Sequence, residues 1–600
     1  MRAKKLRSGF LASSVLLALA GTQPLVAATY VWTGGGNDAY WMDRGLDGTY
    51  LNWGNSTTPP GATDDVVFGS GFASGTPNLD GGAFNSLTID TSAPIELDGG
   101  VVRLSSGSLM RTADSSGTQI INMSFFMPGP SPVWDLQGSG GILVSSEILG
   151  LNSSQSFTKT GGADLTLGGF SFNAPVTVAG GNLILNGGQG LATFQGGDAP
   201  LVTNQGTVLL VKNSGLLATQ GQPRIDNGGA VTVTGQGSNW ANYDTSSSQG
   251  VILVGRDGTG ALAISDGAAL TTASLVLGSA WTGSGRLDLT SGGQLTATNL
   301  SAGDVGGGSA SIVVSGNGSI ANVGNLTLGT GRPASLSISS GGALNVVPSY
   351  PATTASLNLG AGAVVTVDGG SLTVTNVTGQ GQINLKSDPV GSSALTIGWG
   401  SQKIQTSISG AGSVNVQDGT VFINCNNTYT GQTFINNGEV DLDGGSSSSS
   451  FSIGDAYLYL NDGVILSLGS GSITGTRYAW VVYSDVTING GTISGPFTQT
   501  VKKATFNGTT IASDAGMVAL GYQPFTLNNV LVAGRLIDNG NLVMNGTAIT
   551  STGNVTIAGS VTSNGLQSNG KLSILSNGGG TLSNIGTDLQ LNAGRRAGFC

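Results

Sequence analysis

A chain of 600 residues with 22 basic and 32 acidic side chains, formal charge −10, is a poor partner for nucleic acid, whose phosphates call for clustered Lys and Arg. The absence of histidine removes Ser-His-Asp and Cys-His catalysis and the usual zinc ligand sets in one step. Only 9% of residues are charged, against about 25% in an ordinary domain, and 102 are glycine. With 38% hydrophobic residues the composition excludes both disorder and collagen and asks for many strands joined by tight turns.

The chain opens with Arg2, Lys4, Lys5 and Arg7, an apolar run from Phe10 to Ala20, and the small-residue site Val26-Ala27-Ala28. That layout predicts a secretory signal peptide over 1–28. Ser13, Ser14, Gly21 and Pro24 interrupt the run before the roughly 20 apolar residues that a membrane-spanning helix needs.

Residues 29–150 carry Trp32, Trp41 and Trp53 among several acids and are expected to form an N-terminal cap with the first coils, because the open end of a sheet invites pairing. Asp38, Asp43 and Asp47, or the pair Asp64-Asp65, are the acids placed to bind a cation or work as paired carboxylates. Solvated loop acids are the plainer reading of them.

Residues 151–443 read as a repeat array. Leu262, Leu287, Ile312 and Leu336 each begin a strand with a second aliphatic two residues on, at Ile264, Leu289, Val314 and Ile338. Five residues beyond each start come Gly267, Gly292, Asn317 and Gly341, residue types that tolerate one shared left-handed turn. Eight residues beyond come Leu270, Leu295, Ile320 and Leu344, then a second strand at Leu275-Leu277, Leu300 and Leu326-Leu328. A period of about two dozen residues with matched aliphatics predicts an all-β fold, a right-handed parallel β-helix (β-solenoid) of roughly 20 coils stacked at about 4.8 Å. An antiparallel sandwich or propeller is the competing architecture.

Gly444 through Ser450 reads as a Gly/Ser-rich loop, and 451–600 as further β-solenoid, expected to be truncated, released or anchored by another device because neither a translocator barrel nor a Pro-Glu-Pro sorting segment precedes Arg595-Arg596 and Cys600. Cys425 and Cys600, far apart, make no disulfide framework. Cys425 is expected as a small buried residue.

Val231 to Trp240 followed by Val251 to Gly267 resembles the repeat of type V secretion and PEP-CTERM-associated proteins. Asn427-Thr-Tyr-Thr-Gly-Gln-Thr-Phe-Ile-Asn-Asn-Gly438, closing at Val440-Asp-Leu442, resembles the autotransporter-associated β-strand repeat, with Val440 where Leu is usual. Weaker copies lie at Phe157–Leu167 and Val176–Leu185. The resemblance implies a bacterial passenger-like β-helix, secreted or on the cell surface with outer-membrane association, and implies no reaction.

On this reading the chain has a structural or adhesive role, with no catalytic, cofactor or metal residues, with cell-surface or extracellular glycans or proteins as partners rather than nucleic acid, and with membrane anchoring not evident in the sequence. The alternative is an extracellular polysaccharide lyase or hydrolase, which would need acids converging with Lys or Arg on one face. Arg256, Arg286 and Arg332 fall far apart in repeat phase with no matching acid cluster. Trp240 and Trp281 are candidates for stacking on sugars, though packed turn residues are the plainer expectation.

Overall fold

A computed structural model describes residues 27–583 apart from 36–38, 43–48, 73–75, 169–173, 188–190, 195–200, 244–249, 304–307, 349–353, 387–393, 424–427, 575–579 and scattered gaps of one or two residues. The segment read as a signal peptide lies, but for its last two residues, outside the described residues. The fold is a parallel β-helix: among the described residues every pairing between strands is parallel, and the helical content is one 3-10 turn, Leu51–Trp53.

One coil shows the plan. Thr259–Ser265 lies on a first wall, and the strand Ala269–Leu277 bends at Ala273, so that 269–272 lie on a second wall and 274–277 on a third. The next coil repeats this with Ser284–Thr290 and Gln294–Ala302. Because strand side chains alternate, every second residue enters the interior. Leu262, Leu287, Ile312 and Leu336 pair in succession and are buried, so the aliphatics aligned by spacing do form one column. The column runs back through Val231, Leu209, Leu183, Leu165 and Ile142 to Gln119, and on through Val365, Ile383 and Ile408. Fourteen strands make this wall, a span of about 60 Å at the usual strand spacing.

Two expectations about the turns need correction. Asn317 is not left-handed; the positive φ falls on Gly316 and Gly318 at either side of it, as it does on Gly235 and Gly237. The other coils turn on a left-handed pair, Asp266-Gly267, Ser291-Gly292 and Ser340-Gly341. The Gly-x-Gly turn is one residue longer. It therefore shifts the following strand, and Ala321, not Ile320, takes the interior place between Leu295 and Leu344. Ile320 turns outward and is half-buried. A one-residue slip exchanges faces in any strand.

Close stacking explains some of the glycine content. A β-carbon on Gly308 would run into the carbonyl of Gly283 in the adjoining coil, so no other residue fits there without moving the turn.

Coil length varies along the array: 18 residues separate Leu165 from its register partner Leu183, and 31 separate Val231 from Leu262. Register partners Gly516, Arg535 and Asn554 are 19 residues apart, whereas Leu262 and Leu287 are 25 apart. Within the Gly/Ser run, Ser446–Ser447 pair with Ile465–Leu466, so the wall passes through this stretch. At the near end Trp32 meets Trp53 edge to face, centroids 4.9 Å apart, while Trp53 Nε1 donates to Trp41 O and Trp41 Nε1 to Asp80 O. All three rings are buried, and the Trp41 and Trp53 indole donors are both bonded to backbone carbonyls.

Candidate functional site

Of the acids weighed from sequence, Asp64 is bonded to the backbone and Asp65 to neighbouring side chains. Asp64 accepts from Ala28 N and Gly61 N, and Asp65 from Asn85 Nδ2 and Ser86 Oγ. Asp38, Asp43 and Asp47, together with Cys425 and Cys600, lie outside the described residues. Among the described residues no three His, Cys, Asp or Glu side chains gather as a metal site would require.

Contrary to the expected separation in repeat phase, Arg256 and Arg332 both fall in turns that lead into the first wall, and Arg286 lies near the start of a strand of that wall. Arg286 Nε is 2.6 Å from Asp288 Oδ2 on its own strand, and Arg332 lies over the Trp281 ring, 4.5 Å from its centroid. Arg256 follows Asp226, whose carboxylate accepts the backbone N–H groups of Arg256 and Asp257. Burial raises the Asp226 pKa in spite of those bonds. Trp240 is neither exposed nor in a turn: it sits in the strand Asn239–Tyr243, fully buried, with Nε1 donating to Thr219 Oγ1 at 2.9 Å. Trp281 is 73% exposed in the turn before Ser284–Thr290. Beside that turn, on the outer face of the first wall, lies a shallow groove of about 520 Å³ bordered by Ser284, Arg286, Ser309, Ser311, Ser335 and Val364.

Two cations are buried where strand alternation places interior side chains. Lys159 pairs with Trp134 and Val178 in an interior column, and its Nζ donates to the carbonyls of Gly161 and Gly180. Burial lowers its pKa to about 8, against the opposing pull of Asp164 and Asp135. Arg111 donates to Gly117 O and Gly140 O from an equally buried position, and burial lowers its pKa too. In both cases the turn carbonyls that a solenoid leaves pointing inward solvate the charge. Asp538 is also interior; Gly540 N donates to one oxygen while the other has no partner, and burial raises its pKa.

The densest exposed feature is aromatic and was not singled out from sequence. In the strand Ser450–Asn461, Leu458 and Leu460 point inward and are fully buried, so Tyr457 and Tyr459 point outward. Trp480 pairs with Tyr457 on the next coil. The Tyr457 and Tyr459 rings lie 6.4 Å apart with planes 16° from parallel, and the Tyr457 and Trp480 rings 6.0 Å apart at 32°. Tyr457 is 43% and Trp480 42% exposed. Trp480 Nε1 donates to Thr500 Oγ1 at 3.1 Å, fixing the indole against the wall. The sequence signal was present in Tyr457-Leu-Tyr459 and, one coil on, Tyr478-Ala-Trp480.

No family model matches the chain, and no curated protein matches it. Among solved structures, the crystal structure of the TibC-catalysed hyper-glycosylated TibA fragment aligns with 67% of this chain and 99% of that one, at 16% identity and a TM-score of 0.21. The parallel walls of this chain, rather than that likeness, establish its fold.

Proposed function

We propose that the chain is an exported β-solenoid of the bacterial cell surface or medium, with a structural and adhesive role and no reaction of its own. The observation that carries this reading is the coil-to-coil stacking of the interior columns: the sequence is spent on length and on a polar outer face, and buried Lys159, Arg111 and Asp226 are bonded to backbone groups. The signal-peptide layout of 1–28 and the autotransporter-type repeat at 427–442 support the export and passenger-like parts of it. A long rigid wall suits contact at many weak points, where avidity replaces any single tight site.

The test is fractionation of bacteria producing the full chain, with protease added to intact cells. The expected result is a product lacking 1–28 that is cleavable from outside or recovered from the medium, and that causes adhesion to surfaces or other cells. Retention in the cytoplasm with 1–28 intact would overturn the reading, as would product release from neutral or acidic polysaccharides that a single Asp substitution abolishes.

A further inference from the structure

We propose that Tyr457, Tyr459 and Trp480 form a platform that binds a neutral polysaccharide chain. The proposal rests on the extracellular reading above for where such a chain is met, and on the following geometry for its chemistry. Elsewhere the outer wall shows mainly hydroxyls and amides, as in the bonded pairs Ser309–Ser284, Asn345–Asn322 and Asn528–Asn507. Three aromatic rings grouped on two adjoining coils therefore stand out as apolar area left in water, which marks an interaction site.

The Tyr457 and Tyr459 ring planes lie within 16° of parallel and the Tyr457 and Trp480 planes within 32°, so the three rings form one cluster of similar tilt that is partly open to water. The C–H faces of pyranose rings match such faces, and their rim hydroxyls need hydrogen-bonding groups at the margins. Those groups are in register: Asp441, whose Oδ1 accepts from Asn461 Nδ2, pairs with Tyr459 on one side, and Thr498 pairs with Trp480 on the other. A proline-rich peptide, the other usual occupant of exposed Tyr and Trp, takes a hydrogen bond from the indole N–H to a peptide carbonyl. Here that N–H is committed to Thr500. An acidic chain would need cations, and Arg477, the basic residue nearest in sequence, lies over the Tyr478 ring at 4.6 Å while Asp441 adds negative charge. Ring faces whose indole donor is committed and whose margin carries the carboxylate of Asp441, with Lys502 the cation on the neighbouring strand and Lys503 paired with Asp485, favour a neutral glycan over a polyanion.

The experiment is calorimetric titration of the full chain with soluble cello-, xylo-, manno- and chito-oligosaccharides, beside polygalacturonate and a proline-rich peptide. At least one neutral series should bind, and Tyr457→Ala or Trp480→Ala should weaken it about tenfold or more, the effect of losing a central aromatic contact. Melting temperature should be unchanged, Trp480→Phe should retain part of the affinity, and Trp281→Ala should retain all of it. The proposal is overturned if no neutral series binds, if the Tyr457→Ala/Trp480→Ala double variant binds as the wild type does, or if only the peptide or polygalacturonate binds. Export is measured separately by fractionation, so a secreted, adhesive chain that fails this titration would sink the platform and leave the broader reading standing.

Discussion

Lys159 shows how far a residue's surroundings can depart from its sequence context. In Phe157-Thr-Lys-Thr160 a lysine reads as an outward strand residue, yet the register that places Phe157 inside places Lys159 inside as well. Its ammonium group replaces water with the carbonyls of Gly161 and Gly180. The folded pKa, about 8, lies below the ordinary value of 10.5. Between these two pH values the unfolded chain holds a proton that the folded chain has released, so stability rises across that window, while below it the burial penalty is fully present. Lys159→Met removes this titration. The stability difference between wild type and variant, from denaturant melts at neutral and alkaline pH, should shift in favour of the wild type by on the order of 1 to 3 kcal/mol as pH passes from about 7 to about 10.5. A constant difference would mean that Lys159 is not buried as described. The aromatic spacing of the platform is visible in the sequence, but its outward orientation is not, for a related reason. Alternation in Tyr457-Leu-Tyr-Leu460 reveals two faces, but with both apolar it gives no sign of which one turns inward.

At the scale of strands and turns, the aliphatic columns were readable because a stacked coil forces like residues into the same place, and the 25-residue spacing of Leu262, Leu287 and Ile312 survives directly in their pairing. Ile320 was misread because the turn before it was taken to match its neighbours. Gly316-Asn-Gly318 adds one residue, and the choice of turn decides which of Ile320 and Ala321 faces the core. Leu287 sits in the fully readable part, with neighbours of its own kind above and below. Leu287→Ala should destabilise by about 2 to 5 kcal/mol through lost burial and a residual cavity. Leu287→Asp should cost more, because the charge would have no partner in the column. Chemical denaturation of both variants checks the order, and an Asp variant as stable as the Ala variant would place this side chain outside the core.

Across the whole molecule, cohesion comes from stacking rather than from charge. Among the described residues three ion pairs are seen, Arg286–Asp288, Lys386–Asp368 and Lys503–Asp485, and each has at least one well-exposed partner. Such pairs contribute little and are screened by salt. Raising sodium chloride from about 0.05 to about 1 M, which shortens the screening length to roughly 3 Å, should leave the melting temperature of the protein within a few degrees or raise it slightly. A large fall would show that electrostatics holds the coils together after all. The variation in coil length, from 25 residues at Leu262–Leu287 to 19 at Gly516–Arg535, also has a bearing on how such a molecule changes over generations. Since a turn of the spiral touches only the one before and the one after, copying or deleting a complete turn restores the same neighbours on each side, while the loops at its corners can gain or lose residues freely. Unequal recombination within the gene can therefore lengthen or trim the shaft without inventing a new core, and the reach of the protein is open to selection independently of whatever it carries on its flank.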